Sequence, residues 1–484
     1  MPSALLRTAL ALSCVLVGFT TASAEDSAVA QRDPWLLIDH DGLRVRARME
    51  TANGVFAYSG TWFGLAAQPS QGAFANRRAW AESWVEPGVD GVLRIAPALE
   101  LYGGAGIGVS RTWGADSFDQ RNQGEVNLEN AFGGIRTANL ATGWNFDFSF
   151  GQQNYSVGSG MLIWQGAGNG FERGGGNLLP RQAWKNATVA KVAIAGLSLE
   201  GFYLDPNELE SVDTGTQLAG AVVQYRWGQK SRAGIASMRA LESEQFYPLP
   251  SAPLVGFLPG ITNGRDGLEA INAFSEIDGA SFGLQNAWIR AELSLERNDR
   301  IDMLAHAYYG ELGYRFLALP FAPALSYAYA SFSGDDPTTK RYERFDPLFY
   351  GNGLDNWWFG ANGAYSFLNS NTAHHRLALQ LVLSQQDFVK LQYIHTRANE
   401  LFSPIQFGQA TRPVLTSGGL VLVNGVANAH LADEIYAEWA HVFSKNVTMA
   451  LWGSAAIPGR GIRDLVSDDA TSWLGGGALL SIKY

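Results

Sequence analysis

The sequence predicts an all-β fold: a single antiparallel transmembrane β-barrel of about eighteen strands. Three observations carry that prediction. The last stretch, WLGGGALLSIKY, alternates with the period of a strand: Tyr484, Ile482, Leu480, Ala478, Gly476 and Leu474 share one apolar or small face, and Lys483, Ser481 and Gly477 share the other. Such a strand cannot end as a free edge in lipid, where each unpaired backbone N–H or C=O costs several kcal/mol, so it demands a first strand to close on. The required first strand is present at 42–50, GLRVRARME, with Leu43, Val45, Ala47 and Met49 on one face and Arg44, Arg46 and Arg48 on the other.

In chain order, residues 1–24 read as an export leader. Met1 to Arg7 is a short basic start, Thr8 to Phe19 is apolar but too short to span, and Ala22-Ser23-Ala24 is a small-residue cleavage site. Residues 25–41 then form a short N-terminal segment expected in the periplasm, and 42–484 form the barrel. Cleavage removes Cys14 and leaves no cysteine, so disulfides are excluded as the source of stability. It also removes Arg7, leaving 34 basic residues against 45 acidic, a net charge of 34 − 45 = −11, which argues against nucleic acid as a partner. After the leader no apolar run is long enough for a membrane helix, and no composition break divides the chain.

Alternation recurs along the chain. Trp144, Phe146, Phe148 and Phe150 oppose Asn145, Asp147, Ser149 and Gln153. Ile289, Ala291, Leu293 and Leu295 oppose Arg290, Glu292, Ser294 and Glu296; Leu377, Leu379, Leu381 and Leu383 oppose Arg376 and Gln380. Val223, Tyr225 and Trp227 oppose Gln224 and Arg226; Val389, Leu391 and Tyr393 oppose Lys390 and Gln392. Strands are expected to begin near Gly42, Arg78, Ala98, Glu125, Gly143, Lys185, Leu197, Gln217, Ser231, Ala287, Met303, Ala322, Trp357, His375, Phe388, Asp433, Val447 and Trp473. An even number puts both termini in the periplasm, with short turns on that side and long loops outside. By this count the long segment 334–356 falls in the periplasm, as a plug that screens the pore with its aspartates.

Residues 331–350, SFSGDDPTTKRYERFDPLFY, join 126–136, 143–165 and 179–194 in an order and spacing that resembles the alginate-export family of Gram-negative outer-membrane barrels. One departure is Gly151-Gln152-Gln153, where that family often carries Gly-Arg-Gln. The resemblance implies an eighteen-strand barrel in the cell outer membrane that passes an anionic exopolysaccharide outward through an arginine-lined pore, with periplasmic secretion-complex proteins as possible partners beside outer-membrane lipid.

Alternation itself turns Arg44, Arg46, Arg48, Arg226, Arg290, Arg376 and Lys390 into the lumen, with the carboxylates Asp147, Glu292 and Glu296. Guanidinium groups suit carboxylate solutes because they bind in a bidentate fork, whereas inward charges can equally pair with one another in a water-filled lumen. The row of three arginines is the hardest to neutralise and is expected to favour anions.

Other chemistry is thin. His374-His375 read as exposed residues at a strand start and lack metal-ligand spacing with any cysteine. Asp335, Asp336 and Asp346 mark the possible plug or gating segment; they are open to a divalent cation, although a turn cap beside Pro337 explains the first two. Gly166 to Gly176 reads as an external loop or an in-folded constriction, Trp357-Trp358-Phe359 as an interfacial aromatic belt, and glycine-rich 103–108 as no dinucleotide turn. No nucleophile–base pair stands out, so an enzyme acting on lipid or polysaccharide ranks last, and no metal or cofactor is expected. The expected function is anionic polysaccharide export; the alternative is a diffusion porin for small anionic solutes.

Overall fold

The computed structural model describes residues 33–62, 77–117, 120–137, 143–167, 171–250, 260–351, 359–362, 367–405, 412–416, 419–423, 425–466 and 471–484. The expected leader lies outside them. Eighteen strands form the closed antiparallel barrel. They are β1 (Leu43–Ser59), β2 (Arg77–Ala96), β3 (Leu99–Trp113), β4 (Gly124–Thr137), β5 (Asn145–Gln153), β6 (Trp184–Ile194), β7 (Leu197–Asp205), β8 (Gln217–Trp227) and β9 (Ser231–Glu242). The ring continues through β10 (Glu269–Asp278), β11 (Ala287–Asn298), β12 (Met303–Arg315), β13 (Ala324–Phe332), β14 (Thr372–Val382), β15 (Asp387–Ala398), β16 (His430–Ser444), β17 (Val447–Pro458) and β18 (Trp473–Lys483).

The closure demanded by the last strand is met. β18 pairs with β1 from Glu50–Lys483 to Ser59–Leu474, and Tyr484 exchanges backbone hydrogen bonds with Met49 at 2.9 and 3.3 Å. β1 runs well past Glu50, however, so the arginine-bearing half lies below this seam. There a short strand, Leu36–His40, takes up the edge against Leu43–Arg46, and Trp35 stacks on Tyr484 with ring centroids 5.1 Å apart. Part of the expected periplasmic segment thus covers an edge that would otherwise stay unpaired.

The outer wall is apolar: Val55, Leu101, Ile107, Phe150, Leu199, Ile235, Leu293, Leu312, Leu377 and Ile435 are all exposed on it. Their inward neighbours are small, polar or charged, which is the alternation that lipid outside and water inside impose. Among the described residues no helix is long and apolar enough to cross a membrane; the crossing is made by strands.

Two expected features are corrected. Glu269–Asp278 is a barrel strand, β10, paired on both sides with β9 and β11. Its inner face carries Phe274 and its outer face Ser275, which blurs the alternation. The strand expected to begin near Trp357 starts outside the described residues, and 359–362, which are described, are in no strand. The two errors cancel in the total but reverse the parity between them. The described part of segment 334–356, residues 334–351, therefore lies at the end with the long connections, not with the short turns 97–98, 195–196 and 445–446, and its assignment to the periplasm is overturned.

Candidate functional site

The described residues of three long connections, L3 (154–183), L5 (243–268) and L7 (333–371), fold inward. L3 crosses the lumen. At one end Ser159 donates its hydroxyl to Glu292 on β11, and Gly160 O accepts from Gly351 N at 2.8 Å. At the other end the backbone amides of Asn177 and Leu178 donate to Glu82 on β2 at 2.8 and 3.2 Å. β2 and β11 are nine strands apart (11 − 2) in a ring of eighteen, so these anchors face each other across the barrel. Gly174, at φ +79°, passes so close to β4 that an added Cβ would sit 2.6 Å from the Gln123 carbonyl oxygen. For the described residues 166–167 and 171–176, the in-folded reading is the one this geometry supports.

The crossing strap and L7 are held by wall carboxylates that accept backbone N–H groups. Glu129 accepts from Gln182 and Ala183 at 2.7 and 3.0 Å. Val126 and Leu128 point outward, so alternation turns Glu129 inward, and a register shift opposite Gly106 and Ile107 leaves it as the extra residue beside Asn130. Glu296 accepts from the Asp346 amide at 2.8 Å, and Glu434 accepts from Ala361 and Asn362 at 2.7 and 2.9 Å. Simple alternation finds the inward Glu129 and Glu296 but not the loop partner of any of these groups.

L5 and L7 are clamped to each other by Asp346. Arg265 reaches it in a fork at 2.7 and 2.9 Å, and Tyr247 donates its hydroxyl at 2.6 Å. Burial works against the Arg265 charge, but the carboxylate more than offsets it, and the guanidinium is held above its ordinary range. L3 joins through a parallel bridge between Ile163 and Phe349, and Trp184 meets the Phe349 ring edge-on at 5.2 Å. Met161, Leu162, Ile163, Phe345 and Phe359 pack with Leu218, Met238, Phe274 and Met303 of the wall, so this sector is filled with apolar side chains. Residues 334–351 thus narrow the lumen from the external end.

The expected aspartates separate. Asp346 is occupied by Arg265 and Tyr247 and is no cation site. Asp335 is buried, accepts from the Glu343 amide at 2.8 Å, and is pushed up to about 6, chiefly by burial. Asp336 is exposed and caps a turn through Thr338 N and Oγ1 at 2.8 and 2.7 Å, as the turn reading expects. His374 is not exposed: it faces inward and stacks on Phe359, with centroids 4.2 Å apart. Phe359 is therefore inside the barrel rather than in an outer belt.

Toward the short-turn end, charges line the wall in pairs. Arg48 meets Glu86 at 2.6 Å and Asp90 at 3.5 Å. Glu100 lies between Arg94 and Arg136, at 3.5 and 3.0 Å. Lys191 meets Glu200 at 3.0 Å; Arg290 lies between Glu276 and Glu311, at 3.2 and 3.4 Å. Arg376 meets Glu311 at 3.7 Å, Lys390 meets Glu438 at 3.9 Å, and Tyr102 donates to Asp147. Arg226 is inward but exposed at the rim.

The seven cations expected in the lumen stand at inward-parity positions of their strands, but the arginine row is not an uncompensated ladder. Arg44 pairs with Asp39 at 3.4 Å and Arg46 with Asp33 at 3.3 Å, both from the N-terminal segment. Alternation gives a side chain's face, not the partner brought by another strand. Arg94, Arg136, Lys191, Arg232 and Glu276 are lumen groups that the sequence analysis did not single out.

No family model matches the chain, and no curated protein matches it. The likeness of residues 331–350 to the alginate-export family rests on those motifs alone. Solved structures do match. Pseudomonas aeruginosa OccK5 (OpdH) is 10% identical, over 91% of this chain and 97% of that chain, with a TM-score of 0.52. Pseudomonas aeruginosa OpdQ is 11% identical over 91% and 97%, and Pseudomonas aeruginosa OpdL 8% identical over 91% and 98%, each with a TM-score of 0.50. At these identities the likeness is one of fold. With the closed ring and its apolar outer wall, it makes this chain an integral outer-membrane β-barrel.

Proposed function

We propose that the chain is a passive diffusion channel for small anionic solutes. The observation that carries this reading is the asymmetry of the lower ion pairs, in which the cation is usually the partner nearer water. Side-chain exposure is 59% for Arg94 and 41% for Arg136 against 10% for Glu100, and 38% for Arg290 against 5% for Glu311. A solute entering that zone meets guanidinium groups before carboxylates, and guanidinium binds carboxylate or phosphate groups in a fork. Each contact is modest in a wet lumen, which suits release as well as capture. The strap weighs against export of a polymer, because L3 stands across the path a chain would thread.

Reversal potentials in planar bilayers under a KCl gradient test the proposal. Anion preference is expected, falling at high salt and falling further in R94Q/R136Q/R290Q. Cation preference, or the same potential in the triple variant, overturns it. Liposome swelling with a small sugar acid but not with an anionic polymer separates diffusion from export.

A further inference from the structure

The outer wall carries a polar cluster that the pore does not use. Near the external rim, His395 of β15 lies directly opposite Asp433 of β16, and both side chains point outward. His430 joins them although it stands three residues from Asp433, a spacing that would put it on the opposite face of a regular strand. The register shift between Thr396 and Arg397 inserts one residue on β16 and returns His430 to the outer face. The ring nitrogens then converge on one carboxylate: His395 Nδ1 lies 2.8 Å from Asp433 Oδ1, and His430 Nε2 lies 2.8 Å from Asp433 Oδ2. Tyr393 donates its hydroxyl to the same carboxylate at 2.7 Å.

We infer that His395, His430 and Asp433 form a binding site for a divalent transition metal of the zinc class. Two imidazoles and a carboxylate are a ligand set that suits zinc rather than magnesium or calcium, which prefer oxygen alone. The three ligand atoms lie within 4.8 Å of one another, so small side-chain shifts bring them to the distance of about 2.0–2.2 Å from a common centre that zinc requires. Three protein ligands leave a fourth position for water or a lipid headgroup oxygen. The site is reachable, since the three side chains keep 33, 42 and 25% exposure. Imidazole and carboxylate ligate metal only in their deprotonated forms, so binding weakens as pH falls. Tyr393 is a positioning residue: its hydrogen bond orients the carboxylate, and losing it should cost about tenfold in affinity.

The test uses the whole barrel, without a histidine tag, in detergent, titrated with zinc chloride by calorimetry. One zinc per chain is expected, with the X-ray absorption signature of two nitrogen ligands and at least one oxygen ligand. H430Q should weaken binding at least about tenfold, and H395A/H430A should abolish it, while H375A, on the same wall, leaves it unchanged. Heat-modifiable migration on gels shows that each variant is folded. Absence of stoichiometric zinc in the wild type, or its retention in folded H430Q with undiminished affinity, overturns the assignment.

Discussion

Near the external mouth, Glu82, Glu129, Glu296 and Glu434 accept hydrogen bonds from loop backbone amides. Toward the short-turn end, Glu100, Glu276, Glu311 and Glu438 face arginine or lysine side chains. The residue type and the inward orientation are the same; the partner differs. A carboxylate that catches backbone N–H groups fixes the course of a loop and so sets the shape of the opening. One that faces a guanidinium sets the local field and leaves the shape alone. In this barrel, passage width and charge preference are therefore built by two sets of carboxylates at two depths, and each can be broken without the other.

The largest effect is expected from removing the strap. Replacing residues 159–178 with a short glycine–serine link should raise single-channel conductance severalfold while the sign of the selectivity stays the same. Unchanged conductance would place the ion path away from L3.

Next comes the clamp. D346A leaves Arg265 buried without its carboxylate, a loss of about 3–5 kcal/mol for such a pair. L5 and L7 should become susceptible to proteases and the channel noisy, while the strands stay intact. The double variant R265M/D346L should recover most of the protection, because replacing both partners removes the stranded charge.

A smaller effect contrasts the two depths directly. E82Q weakens hydrogen bonds to the strap amides, each worth about 1.5–3 kcal/mol when the acceptor is charged, and should broaden the distribution of conductances without moving the reversal potential. E100Q frees Arg94 and Arg136 and should move the reversal potential toward anions without changing conductance. If both variants alter both quantities, the division between depths fails.

The strands were legible because lipid outside and water inside impose a strict period, and because an edge in lipid must be closed; the β18–β1 seam follows from those two facts. β10 was not, since Phe274 faces an apolar strap rather than water and so breaks the polar-inside pattern. The site was legible only as single side chains. Arg48 could be assigned to the lumen, but not Glu86 and Asp90 beside it, which the β1–β2 register supplies. A bulge hid the His430 cluster altogether, because one extra residue inverts the assignment by parity beyond it. The inward course of L3, L5 and L7 depends on pairs such as Ser159–Glu292 and Arg265–Asp346, which sit 133 and 81 residues apart.

The smallest predicted effect sharpens the comparison at the mouth by asking whether a loop carboxylate there behaves like the wall anchors. Asp335, in L7, is a loop residue that accepts an amide from its own loop, and burial outweighs that hydrogen bond and the nearby Arg344, pushing its pKa up to about 6 from 3.8. A carboxyl whose folded value is raised favours the protonated form when L7 is docked. Its stabilising contribution is then fully present below the ordinary aspartate value and is lost as pH rises through about 6. L7 should be held most firmly near pH 4 and loosen toward pH 7. D335N keeps an acceptor oxygen for Glu343 N but cannot ionise, so its docking should not vary across that window. A spin label on T339C reads this as mobility that rises with pH in the wild-type background and stays flat with D335N, the two agreeing at the acid end. Mobility that rises on acidification instead would mean that attraction to Arg344 outweighs burial, and that Asp335 holds L7 as an ionised anchor.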